Sequence, residues 1–300
     1  MYIPPSLFYV QSDFSRINKG LCIMKKNLVW LASYPKSGNT WTRIFLANFL
    51  TNAQEPVSIN QARRVGVADI AAEMYHRVAD RKIDTHDVDL TLRLRENVLR
   101  GIANNNADVN LVKTHSTCKV ARGYRLISYD VTRSAIYIMR NPLDMVMSYA
   151  RHYSLSLEQA ADSICHENNS LGADEEVVPT FLGTWSDHVT SWTSLKPYPT
   201  LILRYEDLLE NPQKEFSKVV EHFGMTVDPE RLDRAIRFSS FRELKSQEEK
   251  EGFVERSKKS KSFFTKGQSG YWKDELPPAL ADKIIKANRQ TMKRFGYLDE

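Results

Sequence analysis

The chain has 300 residues, 42% hydrophobic and 26% charged, enough to bury a substantial core and unlike the composition of a disordered or fibrous protein. Its net charge is +5, from 42 basic against 37 acidic residues scattered along the chain, a mild excess that suits a small polyanionic ligand at least as well as nucleic acid. The cysteines Cys22, Cys118 and Cys165 form no C-x-x-C pair, no histidines stand at zinc-ligand spacing, and no apolar run reaches the length of a membrane span, which argues against a disulfide framework, a structural metal or a transmembrane protein.

The first 26 residues lack the apolar centre of a secretory signal, so a cytoplasmic protein is the default expectation. Met24-Lys25-Lys26-Asn27 reads as an alternative translation start, making residues 1–23 dispensable within an N-terminal extension over residues 1–26 and leaving 27–300 as one domain. Leu28–Ser33 is then an apolar run of strand type ending at Tyr34-Pro35. Lys36, Ser37, Gly38, Asn39 and Thr40 follow at a helix start, where free backbone amides, the positive end of the helix dipole and a lysine favour a phosphate or sulfate. A Walker A loop fits poorly, because lysine precedes Gly38 and Ser33 occupies the place of the first glycine.

Three further β-rich runs follow, Val109–Lys113, Ser134–Met139 and Thr200–Leu203, separated by segments of helical periodicity. Alternation of this kind implies an α/β fold with a mainly parallel sheet flanked by helices, whose strand ends bind ligands. Each run leads directly into reactive side chains: Lys113 and His115, then Arg140, then Tyr205 with Glu206 and Asp207. Asn141-Pro142 starts a helix after Arg140, and Ser148 stands about two turns along it. The long connections Asn52–Asp108 and Arg151–Ser194 are candidate acceptor-binding walls. The charged stretch Lys245–Phe264 reads either as a solvated loop or as a lid, and Pro278–Phe295 as a structural helix.

In sequence, Tyr34-Pro35-Lys36-Ser37-Gly38-Asn39-Thr40-Trp41 resembles the 5′-phosphosulfate loop of sulfotransferases that use 3′-phosphoadenosine 5′-phosphosulfate (PAPS). The run from Arg140 to Ser148 is similar to their 3′-phosphate site, and Lys113-Thr114-His115 to the segment carrying their catalytic base. Tyr205 resembles the family's tyrosine near the adenine, Ser239-Ser240-Phe241 the segment whose ring packs on the base opposite Trp41, and Lys266-Gly267 part of a late segment returning to the 3′-phosphate. Thr265 and Tyr271 stand where relatives often have arginine and aspartate.

The resemblance spans about Leu28 to Lys273 and implies a single-domain, P-loop nucleotide-kinase-like fold. It also implies sulfuryl transfer from PAPS to a hydroxyl or amine of a small-molecule acceptor, with PAP as product and no metal. In that scheme His115 is the general base, Lys36 and Lys113 stabilise charge, and Lys36, Ser37, Gly38, Asn39, Thr40, Trp41, Arg140, Ser148, Tyr205, Ser240, Phe241, Lys266 and Gly267 hold the nucleotide. Ser116-Thr117 after the histidine and the absence of the family's dimer segment after Trp272 lean toward a bacterial-type enzyme and select neither an acceptor nor an oligomeric state. A kinase-like phosphoryl-transfer enzyme and a non-catalytic nucleotide-binding protein on the same fold are the competing readings.

Overall fold

The computed structural model describes residues 25–62, 64–257, 260 and 262–298; the candidate dispensable extension lies outside the described residues. Five parallel strands, β1 (Leu28–Ser33), β2 (Val67–Ala68), β3 (Asn110–Thr114), β4 (Thr132–Met139) and β5 (Thr200–Arg204), form one sheet in the order β2-β3-β1-β4-β5. The helices that matter for the site are α1 (Asn39–Thr51), α2 (Val88–Ala103), α3 (Pro142–Tyr153), α4 (Trp185–Thr193), α5 (Phe241–Glu251) and α6 (Pro278–Arg294). Both neighbours of β1 are parallel to it, with Ala32 opposite Thr114 on β3 and Tyr137 on β4.

Burial on both faces explains why these strands read as continuous apolar runs rather than as alternating ones. Along β1, Leu28, Trp30 and Ala32 enter one core with Val98, Leu99 and Ile102 of α2, Trp185 and Trp192 of α4, and Ile284 of α6. Val29 and Leu31 enter the opposite core with Phe45 and Phe49 of α1 and with Phe216. Phe45 and Phe216 stack with centroids 3.9 Å apart, closing that layer. The chain leaves β1 to build β2 and β3 on one side and then crosses to build β4 and β5 on the other, so a crevice opens beside β1 at the carboxyl ends of the strands, the usual ligand position in such sheets.

The final helix is confirmed as structural, its Ala281, Ile284 and Met292 facing the core. The stretch Lys245–Phe264 is not a solvated loop. Its first part continues α5, and Phe253 and Phe264 are buried with Ile44 of α1 and Leu244. Glu248 fastens its far end, accepting from Ser262 Oγ at 2.7 Å and from the amides of Phe263 at 2.6 Å and Phe264 at 3.0 Å. No helix among the described residues is long and apolar enough to cross a membrane.

Candidate active site

The strand ends open on a cavity of about 210 Å³. At the end of β1 the chain turns through two left-handed residues, Lys36 at φ 68° and Gly38 at φ 109°, before α1 begins. Glycine is required at 38 on a second count, since a Cβ would sit 3.0 Å from the Tyr205 ring. Asn39 turns its amide inward, donating to the Leu31 carbonyl at 2.9 Å, and so ties the loop to its strand. Ser37 is fully buried beneath the loop and does not line the cavity, while its Oγ has no partner. Lys36 Nζ lies 3.6 Å above the Phe263 ring, and burial, followed by the charges of Arg140 and Lys113, lowers its pKa to about 7.

Arg140 directly follows β4 and is only 6% exposed. Its guanidinium stacks 4.3 Å over Tyr205 and donates to the carbonyls of Lys36 at 3.3 Å and Gln268 at 3.2 Å, leaving Nε buried without a partner. Asn141 caps α3 through the Leu143 amide, and Glu206 receives the Asn141 amide at 2.9 Å, which fixes the helix carrying Ser148 against the strand end. Ser148 lines the same cavity. Asp144, one turn earlier, receives the amides of Gly270 at 2.7 Å and Trp272 at 3.0 Å, holding the Lys266–Trp272 segment against α3. Lys266 pairs with Glu275 and lies 4.8 Å from the Tyr271 ring.

Three aromatic rings line the adenine side proposed from sequence: Trp41, Tyr205 and Phe241. Trp41 is held by a 2.8 Å bond from its indole N–H to the Ser239 carbonyl and by edge contact with Tyr205 at 5.7 Å. Ser240 does not line the cavity; its hydroxyl caps α5 by accepting from the Glu243 amide.

His115 follows β3 and is anchored from both sides. Its Nδ1–H donates to the Ser33 carbonyl at 2.8 Å, which leaves Nε2 as the lone-pair nitrogen. Burial and the neighbouring Lys113 charge hold its pKa well below 6.5, so the ring is neutral and able to accept a proton. Behind it, Tyr137 donates to His188 Nδ1 at 2.9 Å and His188 Nε2–H donates to the His115 carbonyl at 3.0 Å. Trp192 adds a bond to the Ser116 carbonyl at 3.0 Å. Thr114 is pinned by Asp69 at 2.8 Å, itself paired with buried Arg95.

A family model described as the sulfotransferase domain matches residues 26–296. The chain belongs to the sulfotransferase family. It is 27% identical to sulfotransferase 1E1 of Bos taurus over 276 residues, covering 88% of this chain and 82% of that one. Its fold is that of a mouse sulfotransferase, SULT7A1, crystallised with PAP (20% identity, TM-score 0.57, 90% of this chain and 85% of that one). It is also that of retinol dehydratase in a complex with retinol and PAP (18% identity, TM-score 0.59, 90% and 82%).

Several cavity residues of this sulfotransferase lie in segments the sequence marked only as a whole, Arg151–Ser194 and Lys245–Phe264, without being singled out. Arg151, His152 and Phe263 line the cavity, and Arg151 reaches the Thr265 hydroxyl at 3.5 Å. Burial, then the charges of Lys36 and Lys113, lowers the His152 pKa to about 3. Among the described residues, none of the Asn52–Asp108 connection lines the cavity; of the second expected wall, Arg151–Ser194, only Arg151–Tyr153 does, joined by the covering segment with Glu255, Phe263 and Phe264. Helical periodicity alone gave no signal for these positions, whereas the hydrophobic pair Phe263-Phe264 ending a charged stretch was a usable sign of burial.

Proposed function

We propose that this sulfotransferase moves the sulfuryl group of PAPS to a hydroxyl or amine of a small-molecule acceptor by in-line transfer, with His115 as general base. The observation that carries the reading is the tautomer of His115. With Nδ1–H engaged by Ser33, the basic Nε2 belongs to a neutral ring on the cavity that Lys36 and Lys113 also line. A base in that state can take the acceptor proton as the new S–O bond to a hydroxyl, or S–N bond to an amine, forms and the bond from sulfur to the 5′-phosphate oxygen breaks. Lys36 meets the charge on the departing phosphate, Lys113 assists, and PAP is released; the scheme calls for no metal.

Donor placement follows the same logic. Lys36, Ser37, Gly38, Asn39 and Thr40 hold the 5′-phosphosulfate through helix-start amides and the lysine charge. Arg140 and Ser148 take the 3′-phosphate with Lys266 and Gly267, and Trp41, Tyr205 and Phe241 form the base pocket, while Ser240, off the cavity, acts only as the cap that sets the Phe241 helix. One orphaned polar atom on the cavity lining fits a polyanion, Arg140 Nε, buried without a partner. A cytoplasmic enzyme acting on small molecules rather than on nucleic acid is the setting we infer, with the domain spanning 27–300 and the N-terminal extension dispensable. Calorimetric titration of the full chain with PAP, against ADP, tests the reading. Clear preference for PAP supports it; equal or tighter binding of ADP overturns it.

A further inference from the structure

Glu255 is the only carboxylate on a cavity otherwise rich in cations, among the described residues. It sits in the turn after α5 and reaches back across the cavity mouth to α1. Arg43 Nη2 donates to both of its oxygens, at 2.6 and 2.7 Å, and Thr40 Oγ1 donates at 3.1 Å. The Lys113 ammonium stands 4.0 Å away on the strand that delivers His115. One side chain therefore joins the covering segment, the anion-loop helix and the catalytic strand.

We propose that Glu255 is a positioning residue for the transfer reaction: clamped by Arg43, its carboxylate holds Lys113 and the Thr40 hydroxyl at the reacting end of the cavity. This rests on the sulfotransferase reading above. Arg43 is 3% exposed and could not stay buried without an anion beside it. Glu255 matches that demand, and its second oxygen is shared with Thr40 and faces Lys113. A carboxylate so placed would bring a negative charge close to an incoming polyanion, which costs affinity unless that charge is already committed. The Arg43 pair commits it. The arrangement sets the Lys113 ammonium 4.0 Å from that carboxylate on the cavity lining, where its charge can reach the transferring group.

Lys113 is faced by Arg43 from α1, by Asp69 after β2, by Glu255, by Lys36 in the loop after β1, by His152 from α3 and by His115 two residues on. Of these, Glu255 and Asp69 favour its charged form and burial and Arg43 oppose it. The test reads Lys113 directly in the full chain, using ¹³C-labelled lysine side chains, with Lys113→Arg used to assign the resonance. In Glu255→Gln the Lys113 titration midpoint should fall by about one pH unit, as expected for loss of an opposite charge within 4–6 Å. An unmoved midpoint in folded Glu255→Gln would reduce the residue to a structural anchor and overturn the proposal. If that variant does not fold, Glu255→Asp carries the test: its carboxylate is withdrawn by one methylene, the midpoint falls by a smaller step, and no shift overturns the proposal. The measurement needs no nucleotide, so failure of PAP to outcompete ADP would refute the proposed function without altering this result.

Discussion

His115 Nδ1 lies 2.8 Å from the carbonyl oxygen of Ser33, so the first residue past β3 is locked to the last residue of β1. The two strands are adjacent and parallel, so the bond costs no loop distortion and fixes the ring before any ligand arrives. Replacing His115 with Ala should lower turnover by about 10²–10⁴-fold, the usual worth of a positioned general base, while PAP affinity stays within about twofold. PAP release with an acceptor panel, set beside calorimetry, separates the two effects. Full turnover in the variant discards the base assignment.

Replacing Arg140 with Met should act the other way, on binding. Hydrogen bonds to charged groups contribute about 1.5–3 kcal/mol, so PAP affinity should fall by about 10–150-fold while ADP, without a 3′-phosphate, changes little. Competition between the two nucleotides measures this. An equal loss for both would mean that Arg140 only braces the Lys36 and Gln268 carbonyls it touches in the free protein.

The Lys36 pKa of about 7 makes nucleotide binding pH-dependent. A bound phosphate favours the ammonium and raises that value, so binding takes up a proton between the free and the bound pKa. PAP affinity should be highest below pH 7 and fall by up to about tenfold per pH unit above it. Titrations in buffers of different ionisation heat report the proton directly. Affinity that is flat from pH 6 to 9 contradicts the assignment, as does retention of the slope in Lys36→Met.

Acid should destabilise the fold early. His115, His152 and His188 all have folded pKa values below 6.5, His152 at about 3 and His188 at about 4, with burial the first cause in each. The unfolded chain takes up these protons first, so as pH falls below about 6.5 each buried histidine removes about 1.4 kcal/mol per pH unit until its folded pKa is reached. Glu255, held at about 2 because Lys113 and Arg43 outweigh its burial, adds stability above about 4.5 that is lost as pH falls toward 2. Melting temperatures from pH 7.5 to 4.5 should drop steeply, and less so in His152→Phe. A flat profile down to pH 5 counts against this account.

Gly267 at φ 61° brings its backbone against the Phe241 ring, where an added Cβ would meet ring carbons at 2.3 Å. Gly267→Ala therefore has to push that ring out of place and should cost about 1–3 kcal/mol of stability. Nucleotide affinity should fall with it. Chemical denaturation and PAP titration check both, and a variant that matches the wild type in each shows that the ring has room to move.

Much of the architecture was legible from periodicity. The run Leu28–Ser33 appears with those bounds and the other three expected strands differ by only one or two residues at their ends, whereas the fifth, the two-residue edge strand Val67–Ala68, carries too short a pattern to be read. Lys36, His115, Arg140 and Tyr205 could be picked out because each directly follows an apolar run, and a parallel sheet brings such ends to one edge. Backbone periodicity and local loop chemistry are properties of neighbouring residues, so the fold class, the strand ends and the glycine loop after β1 were readable along the chain. The balance of charge at those ends emerges from packing alone. Arg43 and Glu255 are 212 residues apart, Asp144 and Gly270 126 apart, and Asp69 and Arg95 face each other in the interior. An isolated charged residue in a sequence looks solvated. Packing of distant segments removes the water, and burial then makes each partner necessary to the other.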